Sequence, residues 1–168
     1  MENLIDVLNR ENSEYEELLK LSQRKTPIIV SGDLEQLQQV TDEEQIVVGR
    51  INQLEKSRVE VVADIANVLN KDVDTLKLTN IIAMLAARPA EQKVLAEVHD
   101  KLHETVYALK KVNDHNRELL TNSLEMVEFE MNLLQAMKAA PETANYNRGA
   151  YNAGATMGVV SGGFDAKQ

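Results

Sequence analysis

The stretch AEQKVLAEVHDKLHETVYALKKVNDHNRELLTNSLEMVEFEMNLLQAMK, residues 90–138, contains neither glycine nor proline. Alternate steps of three and four through it give Leu95, Val98, Leu102, Thr105, Leu109, Val112, Asn116, Leu119, Ser123, Met126, Glu130, Leu133 and Met137. A largely apolar stripe at that spacing is one face of a helix. Pro89 stands at its first turn, where the helix has no use for a backbone N–H. At 1.5 Å per residue such a helix reaches about 75 Å. Protein helices owe most of their stability to packing, so earlier segments must fold back along this one.

Those segments are punctuated by Pro27, Pro89 and Pro141. A first helix is predicted from Glu2 to Lys25, with Leu4, Leu8, Tyr15, Leu18 and Leu21 on one face and Glu11 interrupting it. Pro27 and Ser31-Gly32-Asp33 mark a break, and Asp33 is a suitable N-cap for the next helix. A second helical stretch covers Asp33 to Asn70, or restarts at the capping box Thr41-Asp42-Glu43-Glu44. Stepping from Leu34 gives a seam through Val48, Ile51, Glu55, Arg58, Val62, Ile65 and Leu69, widened by Leu54, Val61 and Val68. A short helix over Asp74–Ala87, broad on its apolar face, is expected to close one end. The predicted fold is therefore all-α, a long antiparallel helical hairpin or coiled-coil bundle of three to four helices, with a flexible C-terminal tail.

Composition agrees with helix-on-helix packing. Aromatic residues make up only 4% of the chain and tryptophan is absent, so aliphatic side chains must fill the core. The formal net charge of −9 argues against nucleic acid and anionic membrane, both of which select clustered Lys and Arg. Cysteine is absent, which rules out disulfides and thiolate metal sites. No signal-peptide pattern opens the chain, and no apolar run is long enough to span a bilayer. A soluble, cytoplasmic protein is expected.

Chemistry-bearing motifs are few. His99 and His103 share a helix face and could hold a divalent metal, but the glutamates of a metalloprotease or di-iron motif are missing. No phosphate loop or nucleophile motif is present, so the chain is read as a non-enzyme without a cofactor. Asn116, with Arg117 beside it, and Ser123 stand in the seam of the long helix, where a buried amide penalises misaligned pairing. Glu55 and Arg58 are three apart and can pair on one helix face.

After Met137 the composition changes. The last 30 residues hold five of the seven glycines and three of the six aromatic rings, and their four charges cancel. The chain is thus read as a helical body over residues 1–138 and a Gly-rich partner-binding tail over 139–168. Tyr146, Asn147, Arg148, Tyr151, Met157, Val159, Val160 and Phe164 are its candidate contacts, since rings and valines between flexible joints suit capture better than inert linkage.

Three stretches of this sequence resemble the FlgN family. They are Glu11–Asp33 with Tyr15, Leu18-Leu19 and Ile28-Ile29-Val30-Ser31-Gly32-Asp33; the seam ending Leu54-Glu55-Lys56-Ser57-Arg58; and Asn113-Asp114-His115-Asn116-Arg117-Glu118-Leu119-Leu120-Thr121-Asn122-Ser123-Leu124, followed by Tyr146-Asn147-Arg148-Gly149. The resemblance implies a flagellar type III export chaperone that holds the hook–filament junction proteins FlgK and FlgL and delivers them to the export apparatus. It also implies a C-terminal substrate segment, and an export-gate contact at an aromatic residue that Tyr146 matches by position. From Ala150 onward no family pattern applies, and the contacts there rest on composition. The alternative is a structural coiled-coil adaptor or scaffold with an unrelated partner. Which junction protein is preferred, and the oligomeric state, are left open.

Overall fold

The structure, a computed structural model, describes residues 1–72 and 76–139. Among these, four α-helices run in order: α1 (Glu2–Ser31), α2 (Leu34–Leu69), α3 (Leu78–Met84) and α4 (Pro89–Ala139), with a 3-10 turn, Leu85–Ala87, before α4. The fold is all-α, as the periodicity predicts. Two compact units divide the chain, Met1–Glu125 and Met126–Gln168.

In the first unit α1 and α2 pair antiparallel. Their polar partners run in opposite directions along the two helices: Glu11 with Arg58, Glu14 and Glu17 with Arg50, Ser22 and Lys25 with Glu44. Between these pairs Leu18, Leu21 and Ile28 of α1 pack with Val40, Val47 and Ile51 of α2 and Leu109 of α4. Each fully buried aliphatic side chain contributes about 1.5–3 kcal/mol. An exposed pair such as Arg24–Glu43, at 2.6 Å, contributes only about 0–1 kcal/mol. Apolar burial therefore holds the helices together, and the ion pairs select the register.

At the opposite end Leu4 and Leu8 meet Ala66, Ile81, Leu85 and Leu95. Here α3 closes the bundle, as expected for its broad apolar face, but it starts at Leu78 rather than Asp74. Lys77 just before it is extended and offers no side-chain cap.

Three details depart from the sequence-based expectations. First, α1 continues through Pro27 to Ser31. An interior proline costs a helix about 3 kcal/mol. Beyond it, however, Ile28 and Ile29 are buried, and two such side chains offset that cost. The helix ends instead at Gly32, whose φ of 70° suits glycine and whose N–H reaches Ile28 O and Ile29 O. Second, α2 does not restart at Thr41. The Thr41 hydroxyl donates to Leu37 O within the helix, Glu44 reaches across to Ser22 and Lys25, and the cap is Asp33, which accepts from Gln36 N at 2.9 Å. Third, the α2 seam is predicted only in part: Ile51 and Leu54 are buried and Val61, Val62 and Ile65 pack against the core as expected, but Val40 and Val47 join them, while Val48 is exposed and Val68 is 86% exposed. The count anchored on Leu34 misses at Val48 because Leu34 is itself an exposed first-turn residue.

α4 runs parallel to α1, held by two polar clasps. Thr105 donates to Asn12 Oδ1 at 3.0 Å, and Asn12 donates on to Glu16, which also pairs with Lys101. Asn116, 4% exposed, donates to Ser22 O at 2.8 Å and accepts from the Thr26 hydroxyl at 2.6 Å. Thr105 and Asn116 are three helical turns apart and so share a face. Replacing Asn116 by leucine leaves the buried Ser22 carbonyl without that donor and should lower unfolding stability by about 1–3 kcal/mol in denaturant titrations. Replacing exposed Asn113 is the control and should change little.

Candidate partner-binding site

Of the residues singled out from sequence, Tyr146, Asn147, Arg148, Tyr151, Met157, Val159, Val160 and Phe164 lie outside the described residues. Asn116 lies buried between α1 and α4. Arg117 beside it is exposed, and its carbonyl accepts from Thr121. Ser123 is exposed as well, with its hydroxyl turned back to Leu119 O at 2.9 Å. The stepped seam of α4 thus holds core residues at Leu95, Thr105, Leu109 and Asn116, and then only exposed ones from Ser123 onward.

That exposed run is the most distinctive surface in the described residues. Every side chain from Thr121 to Lys138 is exposed. Among them are Leu124, Met126, Val127, Phe129, Met131, Leu133, Leu134 and Met137, with Phe129 at 68% and Met137 at 67%. Single exposed apolar residues are ordinary, but a continuous run of them marks an interaction surface. Three of its apolar residues are methionines, whose unbranched and polarisable side chains adapt to varied partners. Composition points to the tail beyond rather than to this run. The signal that residues 121–138 do carry is a crowding of apolar residues off the stepped stripe, at Leu124, Val127, Met131 and Leu134.

A second cluster sits between α1, α2 and α4. Glu11, 2% exposed, faces Arg58, its Oε2 standing 3.1 Å from Arg58 Nε without the alignment of a hydrogen bond. Tyr15 donates to Glu55 at 3.3 Å, so Glu55 and Arg58 each pair across to α1 rather than with each other. His99 and His103 line the same groove, of about 260 Å³. Among the described residues no three His, Asp or Glu side chains are grouped as metal ligands would be.

Burial pushes the Glu11 carboxyl above its usual range, with Arg58 opposing and the Glu55 charge adding to the rise. Burial likewise raises Tyr15. Glu16, in contrast, is lowered by its hydrogen bonds from Lys101 and Asn12. Because folded Glu11 keeps its proton to higher pH than the unfolded chain does, its contribution to stability falls as pH rises from about 4.5 through the folded value. The stability of the unaltered chain minus that of E11Q should therefore decline across that window and then level off. A difference that rises with pH would contradict the burial.

Comparison with known proteins agrees with this architecture. The FlgN protein family model matches residues 1–153. The uncharacterized protein YvyG of Bacillus subtilis (strain 168) is 25% identical over 146 residues, covering 86% of this chain and 83% of its own. No solved structure matches. No helix among the described residues is long and apolar enough to cross a membrane. An all-α chain matched along nearly its whole length by that model belongs to the FlgN family, a family of flagellar export chaperones that bind flagellar proteins and are not enzymes.

Proposed function

We propose that this chain is the cytoplasmic chaperone of hook–filament junction proteins, FlgK- and FlgL-like, and that it delivers them to the flagellar type III export apparatus. The exposed apolar run of α4 supports this reading most directly. A client whose helices form only on assembly carries unpaired apolar stripes beforehand, and a preformed helix with an open apolar face can cover them. The general family role supplies the class of client, flagellar proteins.

The tail is the second part of the proposal. Tyr146, Asn147, Arg148, Tyr151, Met157, Val159, Val160 and Phe164 would contact client or export gate, with Tyr146 in the position of the family's export-gate aromatic. Ordering such a glycine-rich segment on binding costs entropy, which keeps affinity moderate and release easy. An acidic body, −9 overall, discourages adhesion to RNA and anionic lipid while the client waits.

Removal of residues 140–168 should leave the helical circular dichroism signal of the body in place. It should also weaken capture of FlgK- or FlgL-like protein at least tenfold, about 1.4 kcal/mol or more. Undiminished capture would contradict the tail's role.

A further inference from the structure

The apolar run of α4 is wider than one partner helix needs. At roughly 100° per residue, Val127, Met131 and Leu134 gather on one side of the helix, and Met126, Phe129, Leu133 and Met137 on another, with the two sides roughly 120° apart. All seven are exposed. Glu130 falls on the ridge midway between the two sides. Glu128, Asn132 and Gln135 make the remaining polar face. A helix that meets one partner usually presents a single apolar stripe roughly 100° wide. Two stripes parted by a charged ridge are the pattern of a helix that meets two.

We propose that this part of α4 holds two amphipathic helical segments of its client at once, one on each stripe, with basic side chains of the client reaching Glu130 between them. This rests on the chaperone reading above and adds the form of the client. With helices packed roughly 8–10 Å apart and directions roughly 120° apart, the two client helices stand roughly 16 Å from each other. They flank α4 without packing together, and the ridge between them stays open to a long lysine or arginine. The charges favour such a client over a second copy of this chain. The acidic residues of the run, Glu125, Glu128 and Glu130, are matched by no basic residue of the run before Lys138, so a like helix would set carboxylate against carboxylate.

Two variants of the full chain test it: V127Q/M131Q/L134Q on one stripe, and F129Q/L133Q/M137Q on the other. All six positions are exposed and glutamine is a good helix former, so helix content should be unchanged. Titrated against the FlgK- and FlgL-like proteins of the same flagellum, each variant should bind at least tenfold more weakly, and E130K should bind more weakly than E130Q. If one triple substitution leaves affinity within twofold, a single client helix is bound and the two-stripe proposal fails, while the chaperone reading stands. Self-association of the free chain that either triple abolishes would give the stripes to a second copy and overturn the proposal in the same way. If the unaltered chain binds neither protein, the chaperone reading falls and the proposal falls with it.

Discussion

Two buried side-chain amides, Asn12 and Asn116, fix α4 in register against α1. Each satisfies a polar group of the facing helix, so sliding α4 by one turn would strip both amides of their interhelical partners, at about 1–3 kcal/mol for each lost bond. The residues that Asn12 and Asn116 join across the two helices by hydrogen bonds are 90 to 94 apart in sequence. α1 ends at Ser31, opposite about residue 121 of α4 on that offset. The exposure of α4 begins there, at Thr121. Within the first unit, α1, closed by Gly32, thus backs α4 only as far as about residue 121.

Burial of Ile28 and Ile29 accounts for the survival of α1 across Pro27. Pro27 removes the N–H that would bond Gln23 O, four residues earlier. Ser22 O, one residue before Gln23, accepts from Asn116 of α4 and from the Thr26 hydroxyl of its own helix. Asn116 thus sets the register of α4, and the last turn of α1, with Ile28 and Ile29, joins the core.

Much of this is legible from residues alone, because long helices have a strong period. The extent of α4, Pro89 at its start, the cap at Asp33, the turn at Gly32 and the polar position at Asn116 all come from local chemistry. The features that are not legible depend on partners far away in sequence. Whether Pro27 ends a helix turns on burial of Ile28 and Ile29. Whether Thr41 caps one turns on where Glu44 finds Ser22 and Lys25. Val47 and Val48 are adjacent, and only the position of α1 decides which is inside. The stepping through α4 runs on to Met137 because periodicity records an apolar face and cannot say whether a neighbour reaches it. In the candidate surface, Met126, Leu133 and Met137 lie on the stepped stripe, where spacing alone gives them to the core. Val127, Met131 and Leu134 lie off that stripe, where spacing alone gives them no role.

Hydrogen–deuterium exchange of the full chain, free and with a FlgK- or FlgL-like protein, tests the central claim most directly. Backbone amides of residues 121–138 should exchange fast in the free chain and gain protection with the client, while α1 and α2 stay unchanged. Protection gained along α1 and α2, with residues 121–138 indifferent, would contradict the claim that the uncovered end of α4 is where this protein holds its client.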